Sequence, residues 1–256
     1  MAVHYRTQGF ILKKTNRGES DRIFTIYTKD FGKLEILGKA TRKIKSKLRA
    51  GAEIFYLSEI EFIQGKTHKT LTDTILIDNF QNIRKDLKKL SIAYKISEIA
   101  DRFLKGEEKD EEIWNLLQEI FDKLNNLKLE IRKQPSGESL DSFGIGRLEI
   151  IYYYFLWNLL SVLGYQLEFY HCSLCQKKLG PQGLYLNPKE GGLICNQCKE
   201  TTKSVKEIES DTVKIIRILL KKEWPTLKRL KIETKDLKLL KLISDYYLLE
   251  ILEEIE

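Results

Sequence analysis

Hydrophobic and polar residues alternate along the first 80 positions. In "RIFTIYT", from Arg22 to Thr28, Ile23, Thr25 and Tyr27 fall on one side of an extended chain and Phe24 and Ile26 on the other. Similar runs are "HYRTQGFILKK" before it, then "KLEILG", "EIFYLSEIEFIQG" and "HKTLTDTILID" after it. They are rich in Ile, Phe, Tyr and Thr, which suit a pleated, half-buried surface. Turn-forming segments separate them: "NRGESD" at 16–21, "KDFG" at 29–32 and "QGK" at 64–66. Five strands at this spacing, with no long helix among them, predict a small closed barrel of the OB-fold type.

From Ile83 the period changes. "IRKDLKKLSIAYKISEIADRFL" places Ile83, Leu87, Leu90, Tyr94, Ile96, Ile99 and Phe103 on one broad helical face. A second helix is predicted at 111–127, with acids in its first turn. The segment 132–146 is the least regular and predicts a connector, part of which would open the next helix. That third helix, "RLEIIYYYFLWNLLSVLG", closes at Gly164 as a C-cap. Its apolar run, Ile150 to Gly164, is shorter than the roughly 18–20 residues of a membrane span and predicts a buried helix. "DTVKIIRILLKKEW" follows, stopped by Pro225, then a terminal helix with Thr234 as its N-cap. The expected architecture is α+β and multi-domain: an N-terminal OB-fold β-barrel at 1–80, then an α-helical bundle at 81–256 that carries a cysteine module at about 166–203.

All four cysteines lie in that module, as "CSLC" at 172–175 and "CNQC" at 195–198, with 19 residues between the pairs. Each Cys-x-x-Cys forms a knuckle that aims two sulfurs at one point, and two knuckles supply the four ligands of a closed tetrahedral site. Cys172, Cys175, Cys195 and Cys198 are therefore expected to hold one structural zinc ion, with no position left for a catalytic water. An iron–sulfur cluster, a redox dithiol pair and a disulfide are the alternatives. His171, beside Cys172, is expected outside the ligand set. Lys177, Lys178, Lys189 and Lys199 read as solvated, with phosphate contact as the alternative.

Charge changes the picture for the barrel. The chain of 256 residues carries a net +7, yet residues 1–80 hold 15 Lys+Arg against 9 Asp+Glu, leaving 29 against 28 for the rest. Such asymmetry points to a polyanionic partner for the first third. Six cations, Lys39, Arg42, Lys43, Lys45, Lys47 and Arg49, fall within eleven residues that contain no acid. They read either as a solvated loop or as a phosphate contact of the kind that flanks small Greek-key barrels. Lys13, Lys14, Arg17 and Arg22 would join the same surface. Phe10, Phe24, Tyr27 and Phe31 are the candidate base-stacking residues, but each reads first as core, with a platform as the alternative. The N-terminus lacks an apolar signal core, so no targeting segment is expected.

Motifs for bond-making chemistry are not found. "GKT" at 65–67 lacks the glycine that a phosphate-binding loop needs, since Ile60 stands in its place, and neither a His-Glu-x-x-His nor a Gly-x-Ser-x-Gly occurs. His4, His68 and His171 are scattered. A non-enzymatic protein is expected.

The segment "GFILKKTNRGESDRIFTIYTKDFGKLEILGKATRKIKSKLRAG" at 9–51, with its "GESDR" turn, its "TKDFGK" connection and the basic run, resembles the bacterial RecO family. The order of barrel, helices and late four-cysteine module resembles it too. The resemblance implies a recombination mediator that binds single- and double-stranded DNA and anneals complementary strands without hydrolysing a nucleotide. With RecR it would help RecA replace single-strand-binding protein in recombinational repair. It also implies recognition of the C-terminal tail of single-strand-binding protein by the helical part, and a cytoplasmic, nucleoid-associated location with no membrane contact. Carried over by position, the DNA contacts would include Lys39, Arg42, Lys43, Lys45, Lys47 and Arg49. An RNA-binding factor, a protein-interaction scaffold and a metal-dependent nuclease are the rival readings.

Overall fold

The computed structural model describes residues 3–128, 141–229 and 232–255. The chain divides into two compact units, Met1–Lys128 and Leu129–Glu256. The first contains five strands: β1 (His4–Arg17), β2 (Asp21–Thr28), β3 (Gly32–Gly38), β4 (Leu57–Gln64) and β5 (Lys69–Asp78). They close into a barrel in the order β1-β2-β3-β5-β4. β1 is long because it serves two neighbours. His4–Phe10 pair with β4, and Gly9–Arg17 pair with β2. The alternating residues Ile11, Phe24, Ile26, Leu34, Ile36, Ile60, Phe62 and Leu71 fill the interior.

The outer face of β1 and β2 is covered as well, by α1 (Gln81–Arg84), α2 (Leu87–Phe103) and α3 (Glu111–Asn126). Phe10 stacks on Phe80 and Phe121 at centroid separations of 6.2 and 5.4 Å and lies 5.1 Å from Trp114. The compact unit thus runs on through α3, whereas the strands end at Asp78. The strand expected from Glu53 starts only at Leu57. Before it, Phe55 has φ 64° and leaves the barrel to meet Tyr94 and Phe121.

The expected face of the first helix is corrected. Asp86 accepts from the Lys88 and Lys89 N–H groups and starts a new helix there. The buried stripe becomes Lys89, Ile92, Ala93, Ile96, Ala100 and Phe103, while Leu87 and Tyr94 are exposed. Lys89 ends its buried path on the Asn125 carbonyl, 3.0 Å away.

The second unit contains α4 (Asp141–Val162), β6 (Leu184–Asn187), β7 (Gly192–Cys195), α5 (Asn196–Lys199), β8 (Lys206–Glu207), α6 (Ser210–Leu220), α7 (Trp224–Arg229) and α8 (Thr234–Ile255). Of the expected connector, 132–140 lie outside the described residues and 141–146 belong to α4. From Leu148 to Leu160 α4 is buried almost all round. Trp157 stacks on Tyr247 at 5.3 Å and donates to Ser244 Oγ, and Asn158 donates to the Leu219 carbonyl at 3.1 Å. These bonds tie α4 to α8 and α6. Pro225 does not stop the preceding helix, which already ends at Leu220. It stands in the first turn of α7, where its missing N–H costs nothing. Among the described residues no helix is long and apolar enough to cross a membrane.

Candidate nucleic-acid interface and metal centre

The basic loop leaves β3 at Gly38 and returns through a short helical turn at Lys47–Ala50. It is braced at both ends. At its start the Ala40 N–H donates to Asp21 Oδ1 at 2.8 Å, the Arg42 N–H to the Ser20 carbonyl at 2.9 Å, and Arg42 Nη1 to the Gly18 carbonyl at 3.1 Å. Gly18 has φ 60°, a conformation that suits glycine in a turn. Thr41 is buried and donates to the Gly38 carbonyl. At its end Leu48 packs on the barrel core, and its carbonyl accepts from Thr74 Oγ1 at 3.1 Å. Gly51 lies so close to Thr74 that a Cβ there would sit 2.7 Å from its hydroxyl oxygen. The loop is thus fixed by its backbone and uncharged side chains together with the Arg42 bonds, and its cations are exposed.

Lys39, Arg42, Lys43, Lys45, Lys47 and Arg49 are all exposed. None of the six is in an ion pair among the described residues. The four other cations differ. Lys13 pairs with Asp101 of α2 at 2.8 Å, and Lys14, half-buried, pairs with Glu53. Arg17 Nη2 donates to His68 Nε2 at 3.1 Å, and Arg22 to Asn16 Oδ1 at 3.3 Å. Lys33 also binds Asp101, at 2.7 Å. Burial opposes ionisation of the Asp101 carboxyl, but the two ammonium groups prevail and hold it below the ordinary carboxylate range.

The candidate aromatic residues are taken up in packing. Phe10, Phe24 and Tyr27 are buried, and Phe31 is half-buried against Tyr5 and Phe62. Strand periodicity accounts for Phe24, which points into the barrel. Phe10 and Tyr27 are covered because helices pack on the outside, which the strand pattern alone does not reveal. Asp21 is a residue that the sequence reading takes too locally. It binds Ser20 beside it, as expected of a turn, and also reaches across to the basic loop.

In the second unit the four sulfurs of Cys172, Cys175, Cys195 and Cys198 lie within 4.8 Å of one another. The first knuckle closes through the Gln176 N–H to the Cys172 carbonyl at 2.8 Å, with Gln176 at φ 59°. The Ser173 N–H then pins it to the Leu193 carbonyl of β7. The second knuckle is the end of β7 and the single turn α5. The Cys195 N–H points at Cys172 Sγ, 3.4 Å away. Burial disfavours the Cys172 thiolate, but the N–H groups of Cys175, Cys195 and Leu174 bring its pKa down to about 6. Burial and the neighbouring sulfurs push Cys198 up to about 12. Four thiolates this close repel one another, and a bound cation relieves that repulsion. The cluster can hold a metal ion. Among the described residues His171 is not part of it; its Nδ1 lies 3.9 Å from Glu168.

Two family patterns match the sequence, one described as Recombination protein O N terminal over residues 1–80 and one as Recombination protein O C terminal over residues 138–255. The chain belongs to the RecO family. A DNA repair protein RecO of Dehalococcoides mccartyi (strain ATCC BAA-2266 / KCTC 15142 / 195) is 32% identical over 238 residues, covering 93% of this chain and 87% of that protein. One of Caldanaerobacter subterraneus subsp. tengcongensis is 30% identical over 227 residues, with coverages of 89% and 84%. Another, of Moorella thermoacetica, is 28% identical over 229 residues, with coverages of 89% and 79%. The N-terminal RecO pattern stops two residues after β5 and so coincides with the barrel. The C-terminal RecO pattern spans α4, the cysteine cluster and α6 to α8.

Proposed function

We propose that this protein is a DNA repair mediator that holds single- and double-stranded DNA by the phosphate backbone, through the Lys39–Arg49 loop of the barrel at residues 1–80. It anneals complementary strands and, with RecR, helps to load RecA onto DNA coated by single-strand-binding protein, whose C-terminal tail the helical part at 81–256 recognises. It acts in the cytoplasm, at the nucleoid. The observation that carries the reading is the set of six outward cations on a braced loop, none spent on an ion pair among the described residues. Arg17, at the neighbouring turn, adds to the same surface. Lys13 and Lys14 already face Asp101 and Glu53 and contribute less.

The physics of annealing follows from this surface. Two strands repel through their phosphates. Cations that neutralise phosphates lower that repulsion, and contacts that ignore base identity leave the bases free to pair. No bond is made or broken in the protein, and no nucleotide is consumed. Annealing of complementary fluorescent oligonucleotides without ATP tests the reading, with and without single-strand-binding protein. Acceleration that disappears when Lys43, Lys45 and Lys47 are changed to Glu supports it. A protein that binds an acidic peptide but accelerates nothing contradicts it.

The metal in this reading is a single zinc ion with a structural role. Bonds of about 2.3 Å to four tetrahedral sulfurs put those sulfurs about 3.8 Å apart, and Cys175 and Cys195 are separated by 3.8 Å. A cluster of several irons would spread its thiolates wider. Zinc would tie the first knuckle to the β6–β7 hairpin, where Tyr185, Ile194 and Leu179 complete a small apolar core around Cys172.

A further inference from the structure

Six cations of the basic loop answer phosphates, but they leave its apolar tip unexplained. In "TRKIKSKLR", at 41–49, Ile44 stands between Lys43 and Lys45 and is 89% exposed. Among the described residues it is the most exposed of the large apolar side chains. One exposed apolar residue is ordinary on a protein surface. The place of this one is not. The Lys43 N–H donates to the Ala40 carbonyl at 3.1 Å, and the Lys43 carbonyl accepts from the Ser46 N–H at 3.0 Å. Lys43 therefore joins two successive turns, and Ile44 is the first corner residue of the second. Turn corners favour Gly, Pro, Asn, Asp and Ser, and a β-branched residue gains nothing there. At this exposure it has almost no packing to offset the choice. Turn chemistry and burial both argue against isoleucine, and such conflicts concentrate at functional positions.

The residues around Ile44 narrow what it meets. Arg42 and Lys43 precede it and Lys45 and Lys47 follow it, all exposed. A neutral apolar partner would leave these charges unanswered. Phosphates alone would leave the isoleucine in water. A nucleic-acid strand answers both, because it joins a charged backbone to flat base faces of low polarity. The barrel's candidate aromatic residues do not compete for those faces, since Phe10, Phe24 and Tyr27 are buried and Phe31 packs on Tyr5 and Phe62. The loop is also held at both ends, by Asp21 and by Thr74. Its tip is therefore presented without the cost of ordering the whole loop on binding.

We infer that Ile44 is a wedge that enters between neighbouring bases of a single nucleic-acid strand whose phosphates lie on the Lys39–Arg49 loop, an inference that rests on reading that loop as a phosphate contact. Aliphatic side chains part base steps in this way in other nucleic-acid complexes. Cations on both sides of the wedge hold the phosphates on either side of the opened step. Contact with base faces is indifferent to sequence. Opening a step costs least where the bases are already unpaired, so a duplex meets the cations alone. Ile44 therefore gives the loop a preference for single strands that its cations cannot give.

The test compares the unsubstituted protein with Ile44→Ser, which suits a turn and leaves the charge unchanged, and with Ile44→Leu, which keeps an apolar tip. Each is titrated with a mixed-sequence single-stranded DNA that carries the base analogue 2-aminopurine at regular intervals, and with the corresponding duplex. The fluorescence of the analogue rises when its neighbours unstack. Thermal melting checks that each variant is folded. The unsubstituted protein and Ile44→Leu should raise the single-strand fluorescence on binding. Ile44→Ser should lose most of that rise and about tenfold in single-strand affinity, with duplex affinity and the salt dependence of binding unchanged. Equal affinity and fluorescence for Ile44→Ser and the unsubstituted protein overturn the inference while leaving the loop reading intact. A parallel loss on single strand and duplex also overturns it, as does an Ile44→Leu variant that behaves like Ile44→Ser. If the unsubstituted protein binds neither nucleic acid, the loop reading fails and the inference falls with it.

Discussion

Asp21 and Ala40 stand 19 positions apart in the chain, yet one hydrogen bond joins the turn after β1 to the basic loop. The Asp21 carboxyl is held below its ordinary pKa, first by the Ala40 N–H, against some burial, and then by Ser20, Lys39 and Arg17. A depressed carboxylate contributes its stability above the unfolded pKa and loses it as pH falls through the folded value. The loop should therefore keep its bracing from neutral pH to below the ordinary carboxylate value of about 4, and lose it as pH falls through the lower folded value. The Ala40 amide chemical shift, followed through an acid titration, reports this; a transition centred at or above the ordinary carboxylate value would contradict it. At neutral pH, Asp21→Ala should weaken DNA binding by roughly three- to tenfold, because the loop must then be ordered on binding. Asp21→Asn keeps an acceptor and should bind nearly as the natural protein does. The sequence shows Asp21 as a turn residue, since Asp after Gly-Glu-Ser is a local signal. Its reach to Ala40 depends on barrel closure, which no local pattern encodes.

Among the elements, α3 shows most clearly how packing crosses the boundary that periodicity suggests. Phe121 lies between Phe10 of the barrel and Phe55 and Phe80. Phe121→Ala should cost about 3–5 kcal/mol, and the loss should appear in the unfolding of the barrel itself. A full-strength barrel transition beside a weakened helical one would show that α3 stands apart. The amphipathic pattern at 111–127 reveals the helix and its buried side. That this side buries against β1 was not legible, because the pattern reads Phe10 and Tyr27 as core without showing which element covers them. The cysteine spacing is the most legible feature. Changing Cys172 and Cys195 to Ser should release the metal and destabilise the helical unit, while the barrel's transition stays in place. Metal analysis alongside limited proteolysis checks this; full protease resistance with no bound metal contradicts it.

For the whole molecule, the surplus of positive charge in residues 1–80 is the property on which the account depends, and the sequence shows it without any fold. What the fold adds is which cations are available. Lys13 and Lys33 converge on Asp101, and Lys14 on Glu53, while the six loop cations remain outward. If those six contact phosphates, counterion release fixes the salt dependence of binding. The decisive measurement is the affinity for a single-stranded oligonucleotide across a range of salt, for the natural protein and for the Lys43→Glu/Lys45→Glu/Lys47→Glu variant. The logarithm of the binding constant should fall against the logarithm of salt with a slope near −4 for the former, about −2 for the latter, and a loss of at least about tenfold in affinity at a fixed low salt. A slope near zero, or the same slope and affinity for both proteins, would place the DNA contact elsewhere.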